Sequence, residues 1–332
     1  MVYIVKKYDY DNLKNFIGDL IEKYNLIKIN NGDKVLIKPN LLNNKINVVT
    51  DYRMVNAVCE YVSECGGKPE IADSPGDIEG KINFFEDIMY DKIKFKKFFF
   101  DERGFFVKNG FFLTNVINDY DYVINLPKLK THILTTLTMG VKNLYGFIPG
   151  RKKKLQHILN PDPYSFSEML FSLYKTVKTD LTILDGIICM EGNGPSNGDI
   201  VKKDIIAISN DPLELDIAIS DVFKIKKFPL REIYEKRIIK KPEIHNFTDN
   251  ELSIKTPKNL ITRLPRLNRI RKIILPKKPR FVRENCVLCG TCERVCPFNA
   301  IRIHFGNVYI NYKKCQECYT CIEMCRFNAL KI

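Results

Sequence analysis

Eight cysteines near the C-terminal end of the chain constrain its fold more than any other feature. They form two copies of the spacing C-x2-C-x2-C-x3-C, one beginning at Cys286 and the other at Cys315. The copies are an internal repeat with a register of 29 residues, since Thr291 matches Thr320 and the triplet 298–300 returns at 327–329. A loop that presents a thiolate at every third residue is typical of iron–sulfur ligation. Spacing and repeat together therefore predict two four-iron clusters.

The repeat resembles the bacterial ferredoxins that hold two [4Fe-4S] clusters. This resemblance implies that each copy supplies three cysteines to one cluster and its last cysteine to the other. The implied ligand sets are Cys286, Cys289, Cys292 and Cys325 for cluster 1, and Cys315, Cys318, Cys321 and Cys296 for cluster 2. Between the copies, residues 301–305 and 308–310 alternate in polarity around Gly306-Asn307, which predicts the β-hairpin of a small α+β ferredoxin-like domain.

One position departs from the family pattern. Cys296 is followed by Pro297, as the pattern expects, whereas Cys325 is followed by Arg326. A fixed positive charge beside cluster 1 favours its more negative reduced state. We therefore expect Arg326 to raise the reduction potential of that cluster.

Clustered cysteines have two other common uses in proteins. Zinc also binds C-x2-C pairs, but zinc sites rarely combine three cysteines at successive three-residue steps with a distant fourth. A disulfide framework requires an oxidising compartment. The N-terminal residues 1–7 lack the long apolar region of a signal peptide, so the sequence predicts a reducing cytoplasm. Oxygen-sensitive clusters and abundant Lys, Ile and Asn suggest an anaerobic source.

The 332 residues are enough for one sizeable core and a small cluster domain, and 45% of them are hydrophobic. No apolar run approaches the ~18 residues of a membrane span. The net charge is +14, and residues 226–280 hold 17 Lys/Arg against 5 Asp/Glu. This segment is interpreted as a basic connector. It suits shielding of the negative clusters or docking of an acidic redox partner better than binding of nucleic acid or of a membrane surface.

The first two thirds of the chain alternate between strand and helix patterns. Buried strands are predicted around residues 34–40, 69–73, 121–127, 181–185 and 204–209, with helices at 51–65, 165–178 and 212–224. Asp211, Pro212 and Glu214 predict a capping box at the start of the last of these helices. The alternation predicts an α/β domain with a largely parallel sheet. The expected organisation is an α/β domain at 1–225, the connector at 226–280 and the ferredoxin domain at 281–332.

The segments 125–132 (NLPKLKTH) and 139–147 (MGVKNLYGF) resemble the "domain of unknown function 362" family. Residues 34–42, 66–76 and 185–216 fit the same family, so the resemblance covers about residues 30–225. It implies an α/β domain to which a pair of four-iron clusters is often attached at the C-terminal end. It implies no substrate.

The best candidate anion site follows the strand at 121–127. If residues 128–132 stay extended, Lys128, Lys130 and His132 share one face. Lys142 and Asn143 follow on a predicted helix. The alternative is a solvated strand end. The glycine run 192–198 lacks the dinucleotide-binding spacing and favours a connecting loop, and residues 151–154 suggest a basic turn. Further candidates are Asp73, Asp185 and Glu191 as acid–base groups and Cys189 as a reactive thiol, although residues of these three types are often structural.

Three functions follow from these features. In the first, two [4Fe-4S] clusters transfer electrons to or from an anionic substrate or a second, unidentified cofactor in the α/β domain, as in a ferredoxin-coupled oxidoreductase. In the second, the chain is a non-catalytic electron-transfer or scaffold subunit that docks a redox protein. The third, less favoured, is a nucleic-acid-binding iron–sulfur protein.

Overall fold

The computed structural model describes residues 1–76, 83–150, 152–238, 240–247, 252–257 and 278–332. Its strands are, in chain order, β1 (Val2–Lys6), β2 (Lys34–Pro39), β3 (Lys68–Asp73), β4 (Lys97–Phe99), β5 (Phe105–Lys108), β6 (Phe111–Thr114), β7 (Tyr122–Leu126), β8 (Lys128–His132), β9 (Thr136–Thr138), β10 (Leu181–Glu191), β11 (Asp199–Ser209), β12 (Ile244–His245), β13 (Arg280–Phe281), β14 (Ile301–His304), β15 (Asn307–Ile310) and β16 (Leu330–Lys331).

The α-helices of the same residues are α1 (Leu13–Lys23), α2 (Tyr52–Glu64), α3 (Phe84–Asp87), α4 (Gly140–Asn143), α5 (Lys152–Leu159), α6 (Pro163–Thr176), α7 (Pro212–Val222), α8 (Pro229–Arg237), α9 (Thr291–Val295) and α10 (Thr320–Met324). Their caps follow from local sequence. The Asp51 carboxylate accepts a hydrogen bond from the Arg53 N–H at the start of α2, and Asp162 and Ser165 form a reciprocal capping box on α6.

One mixed sheet organises the larger domain. Its strands run in the order β12-β1-β11-β10-β7-β2-β3-β4, and β8 adds to β10 and carries β9. Strands β2, β3, β4 and β7 pair in parallel, as do β10 with β7 and β8, while β11 is antiparallel to both of its neighbours. The prediction of a largely parallel α/β domain is therefore confirmed.

Alternate residues of each buried strand face opposite sides of the sheet, which creates two cores. In β11, Ile206 and Ile208 face the core built with α1 and α2, while Ile205 and Ala207 face the second core. That second core contains the packed faces of α6 and α7 and continues into the ferredoxin-like domain through Cys321 and Ile322. The two domains consequently share one continuous apolar interior.

The chain beyond residue 225 does not begin as a separate connector. Phe228, Ile233 and Tyr234 are buried against the α/β core, and β12 pairs in parallel with β1. Buried apolar side chains and the β12 pairing thus attach the described residues between Phe228 and His245 to the larger domain. Residues 258–277 of the predicted basic connector lie outside the described residues.

The small domain has the predicted hairpin. Strands β14 and β15 pair antiparallel, and β13 pairs with β16 to close the domain. Helices α9 and α10 each begin one residue before the third cysteine of their repeat copy, Cys292 and Cys321, so the sequence repeat is also a structural repeat. Among the helices of the described chain, none combines the length and apolar character needed to cross a membrane.

Two local predictions were wrong. Residues 152–154 of the expected basic turn instead form the first turn of helix α5, which starts at Lys152. The expected capping box at α7 is only half formed. Asp211 accepts hydrogen bonds from the N–H groups of Leu213 and Glu214, but the Glu214 carboxylate pairs with the N-terminal ammonium at 2.7 Å. A full charge at the chain terminus competes successfully for that carboxylate.

Candidate functional site

The eight repeat cysteines surround two separate cavities in the small domain. One cavity is lined by Cys286, Cys289, Cys292 and Cys325, and the other by Cys296, Cys315, Cys318 and Cys321. The structure therefore brings together three cysteines of each repeat copy with the last cysteine of the other copy. These are the same two groups that the ferredoxin resemblance implied.

Backbone N–H groups point at the sulfurs in a repeated pattern. The Ala300 N–H donates to Cys296 Sγ at 3.3 Å, and the equivalent Ala329 N–H donates to Cys325 Sγ at 3.3 Å. The Leu288 N–H lies 3.4 Å from Cys286 Sγ. Such donors stabilise negative charge on sulfur, so the loops suit thiolates better than thiols.

Crowding opposes that charge when the sulfurs have no counterion. Burial raises the pKa of Cys292 to about 11, and the neighbouring Cys289 adds to the effect. Burial likewise raises the pKa of Cys318 to about 11. Four thiols in this environment ionise together only when metal charge compensates them. Sulfurs arranged around an apolar cavity, with N–H donors, fit a four-iron cluster.

Helix α10, which lies between two cluster cysteines, is held by the glycine-rich loop of the α/β domain. The Asn197 amide donates to the carbonyl oxygens of Ile322 and Cys325, each at 3.2 Å. The Ser196 hydroxyl donates to the carbonyl oxygen of Glu323. The glycine run is thus the docking loop for the second cysteine motif, a role that sequence reasoning did not anticipate.

This loop needs its glycines because backbones approach closely. A Cβ atom on Gly194 would overlap the carbonyl oxygen of Thr131 on β8, and one on Gly198 would overlap that of Glu191. The loop therefore packs flat on the end of the sheet and leaves its polar side chains free to reach α10.

A pocket of about 120 Å³ lies between the two domains. The α/β domain contributes a polar wall, which includes Asp73, Lys142, Lys153 and His157. The ferredoxin-like domain contributes Arg294, Thr320, Glu323 and Met324 from the two short cluster helices. A ligand in this pocket contacts the domain that holds the clusters as well as the domain of unknown chemistry.

Helix α4 places Lys142 and Asn143 at this pocket. The buried Asp216 carboxylate accepts the Gly140 and Val141 N–H groups at 2.7 and 3.0 Å, which anchors the start of α4. The Asn143 amide donates to the Asn125 side chain at 2.8 Å. The family-like segment 139–147 therefore builds the pocket wall from a helix start held on the sheet.

Lys142 is partly exposed in the pocket, and burial lowers its pKa while the facing Glu323 carboxylate opposes that shift. In the described residues its ammonium has no hydrogen-bond or ion-pair partner within the protein. A lysine in this state can bind an anion, and it releases a proton more readily than a surface lysine.

Glu323 is the acidic group of the pocket and comes from the cluster loop. It is 6% exposed, and its Oε1 lies 3.1 Å from His132 Nε2 without the alignment of a hydrogen bond. Burial alone would raise the pKa of Glu323, but His132 and Lys142 lower it to about 2. Burial lowers the pKa of His132 to about 4, so His132 is neutral at pH 7.

The tautomer of His132 follows from its other nitrogen. Nδ1 accepts the backbone N–H groups of Leu134 and Thr135 at 3.1 and 3.3 Å. The ring proton of the neutral form therefore sits on Nε2 and faces Glu323.

The structure separates Lys128 and Lys130 from the pocket. Lys128 forms a buried ion pair with Asp185 at 2.6 Å and contacts the Tyr10 hydroxyl. Lys130 donates to the Asn40 side chain and to the Val48 carbonyl oxygen, both at 2.6 Å. Although β8 is extended as predicted, these two lysines have protein partners in the interior and do not line the pocket.

Of the other candidate residues, one lines the pocket and the rest are paired or buried elsewhere. Asp73 lines the pocket and pairs with Lys38 Nζ at 2.8 Å. Glu191 pairs with Lys203, and Cys189 is fully buried with its thiol donating to the Gly186 carbonyl oxygen. Burial raises the pKa of the Cys189 thiol, which makes it unreactive. Arg326 donates to the Asn44 side chain, so its guanidinium also bridges the two domains.

Sequence reasoning missed Lys153, His157 and Glu323 as pocket residues. The Lys153 ammonium donates to the carbonyl oxygens of Ser74 and Pro75 at 2.5 and 3.2 Å. Glu323 lies inside a cysteine motif whose cysteines already account for the spacing, so it was not considered as a pocket residue. The sequence feature that could have identified it is its position as a charged residue between two predicted cluster ligands.

Two family models match the chain. The family described as "Domain of unknown function (DUF362)" matches residues 35–221, and the one described as "4Fe-4S binding domain" matches residues 279–302 and 308–331. A thylakoid-associated protein of Synechocystis sp. is 38% identical over 208 residues, which cover 58% of this chain and 64% of the relative. The matched part thus spans less than two thirds of that relative.

Proposed function

The chain belongs to the DUF362 family, as its sequence resemblance predicted, and from this membership and the pocket geometry we propose that it is an iron–sulfur redox protein acting on a ligand between its domains. Two [4Fe-4S] clusters exchange electrons with an anionic substrate or a second cofactor bound there. The matched cluster motifs support iron–sulfur electron transfer.

In this proposal Cys286, Cys289, Cys292 and Cys325 hold cluster 1, and Cys315, Cys318, Cys321 and Cys296 hold cluster 2. The two cysteine-lined cavities and the paired N–H donors support the assignment. The clusters supply one-electron transfer when bound.

The pocket residues have roles that match an anionic ligand. Lys142 binds the negative group and can donate a proton to it, because its pKa is lowered by burial. His157 presents a buried Nδ1 that has no hydrogen-bond partner among the described residues. The Glu323 carboxylate orients the Lys142 ammonium, and it repels the negative group of a ligand from its own side of the pocket.

A single observation carries the proposal. Glu323 lies between the cluster ligands Cys321 and Cys325, and the same residue lines the pocket opposite Lys142. The loop that would hold cluster 2 is therefore also a wall of the pocket, so a bound ligand is next to an electron carrier.

The first test is mass spectrometry of small molecules released by denaturing protein purified without oxygen, with iron and sulfide measured in the same sample. We expect eight irons, four for each motif, together with an anionic ligand. Lys142→Ala should retain the irons and lose the ligand, whereas Lys94→Ala, at an exposed lysine away from the pocket, should retain both. A full iron content without any ligand, combined with no binding of added flavin or inorganic phosphate, would contradict the substrate role.

The second candidate is a non-catalytic subunit that passes electrons to an acidic redox protein. It is favoured by the exposure of cluster 1, where Cys289 is exposed, Val287 is 58% exposed and Phe327 is 39% exposed. The exposed Arg280 lies in the adjacent strand β13. This candidate predicts a stable acidic partner, with binding weakened by Val287→Asp and by high salt, and no ligand in the pocket.

The proposed location is the cytoplasm, because the thiols of the sequence suit a reducing compartment. The name of the Synechocystis relative places that protein at thylakoids. Iron–sulfur redox chemistry at the cytoplasmic side of a membrane is compatible with both.

A further inference from the structure

Helix α5 has the reverse of the usual amphipathic arrangement, with its polar face buried and its apolar face exposed. Its inward face consists of the buried side chains of Lys153, Gln156 and His157. Its outward face carries Leu155, Ile158 and Leu159, which are 37%, 43% and 63% exposed. Polar residues face inward because the pocket lies there. The apolar residues are consequently left in solvent, where a monomer gains nothing from them.

A β-hairpin beside α5 extends this apolar surface. Phe105 and Val107 on strand β5 are 45% and 61% exposed, whereas Phe111 and Leu113 on β6 face the core. Lys152, at the first turn of α5, has its ammonium 4.7 Å from the Phe105 ring centre and 4.3 Å from that of Phe112. The two elements therefore form one surface, which we name the α5–β5 face and define as Phe105, Val107, Leu155, Ile158 and Leu159.

Cationic side chains lie beside the α5–β5 face. Arg103 and Lys108, at the two ends of strand β5, are exposed, and Lys152 lies on the first turn of α5. The segments 103–118 and 139–161 contain no Asp/Glu. An occupant must therefore offer an apolar interior and a negative surface. Acidic side chains, which would repel such an occupant, are absent from both segments in the sequence.

We propose that the α5–β5 face binds the surface of an anionic phospholipid bilayer. The apolar side chains enter the boundary between headgroups and acyl chains, to a depth of about 5–10 Å. Lysine side chains lie along that boundary with their ammonium groups at the phosphates. A bilayer accepts side chains that protrude separately from a helix and a strand, whereas a protein partner must match their shape.

This inference is independent of the ligand proposed for the pocket, because the α5–β5 face lies on the opposite side of α5. Helix α5 nevertheless connects the two surfaces, because one of its faces lines the pocket and the other belongs to the α5–β5 face. His157 and Ile158 are adjacent in the sequence, so a helix fixed on a bilayer by its outer face has its pocket face fixed as well.

The test is flotation of the full, cluster-loaded chain with vesicles of phosphatidylcholine alone and of phosphatidylcholine mixed with phosphatidylglycerol. We expect binding to the anionic vesicles and a reduction in partition coefficient of about tenfold or more for the double variant Val107→Ser, Leu159→Ser. Phe305→Ser is the matched control, since Phe305 is 89% exposed on the hairpin of the other domain and should bind like the wild type.

Several results would overturn the proposal. These are no affinity for anionic vesicles, unchanged binding by the double variant, or an equal loss in Phe305→Ser. A concentration-dependent dimer that the double variant abolishes would assign the face to a second copy of the chain. An acidic protein that saturates the face while vesicles do not bind would assign it to a protein partner.

Discussion

The pocket histidine His157 gives the clearest quantitative prediction. Its ring stacks on Phe166 with centres 4.7 Å apart and meets Tyr145 edge-on at 5.8 Å. Burial lowers its pKa from 6.5 to about 4, and the nearby Lys142 adds to the effect while Glu323 opposes it. The folded protein therefore keeps His157 neutral in a pH range where the unfolded chain binds a proton.

The sign and size of the effect follow from that difference. Above the unfolded pKa of 6.5 neither state is protonated, so the full stability is present. As the pH falls from 6.5 toward 4, the unfolded state gains a proton that the folded state does not, and stability is lost. At about 1.4 kcal/mol for each pH unit, the loss from this residue is about 2 kcal/mol by pH 5 and about 3 kcal/mol by pH 4.

The assay is urea unfolding at pH 7 and pH 5 of the cluster-loaded protein and of His157→Phe. Phenylalanine retains the ring stacking and cannot titrate, so the variant should lose about 2 kcal/mol less than the wild type over this range. Acid effects on the clusters are common to both proteins and cancel in the comparison. Equal losses in the two proteins would refute the argument that a buried, neutral His157 controls this part of the pH dependence.

Three other changes have definite expected outcomes. Gly146→Ala should destabilise the protein by about 3–5 kcal/mol in urea unfolding, because its Cβ would overlap the buried ion pair of Lys38 and Asp73 beside the pocket. The control Gly306→Ala, at an open position with positive φ, should cost only about 1 kcal/mol. Cys325→Ala should give the electron paramagnetic resonance spectrum of Cys289→Ala, and a match to variants of the second motif instead would refute the crossed assignment. Asn197→Ala should lower stability by about 1–3 kcal/mol and accelerate cluster bleaching in air, since two carbonyl oxygens of the cluster loop lose their donor; unchanged bleaching would show that this contact does not protect the clusters.

The sequence predicts what is local or repeated. The strand and helix pattern identifies the sheet because buried strands read as apolar runs, and Asp211 identifies the start of α7 because capping involves residues two and three apart. The assignment of the cysteines to two clusters follows from spacing and resemblance and remains a prediction about bound metal. Lys142 and Asn143 lie on a helix, as the sequence predicts, and line the pocket, while their role as an anion site remains a prediction.

Contacts between distant segments were not predictable in this way. Lys128 depends on Asp185 for its burial, and Lys130 depends on Asn40, yet nothing near either lysine in the sequence identifies that partner. Helix α5 is a different case. Leu155, Ile158 and Leu159 lie at helical spacing, and that pattern would normally place them in the core. They point outward because the interior at this place is a polar pocket, which only the assembled domains create.

The shared wall between pocket and cluster loop has a thermodynamic consequence. Because Glu323 belongs to both, a ligand that binds one oxidation state of the protein more tightly than the other must shift the reduction potential by the equivalent free energy. The relation is reciprocal, so adding or removing an electron must change the ligand's dissociation constant by the same factor. Under the proposed function, the occupancy of the pocket and the charge of the clusters are therefore two variables of one equilibrium, and either can be measured to determine the other.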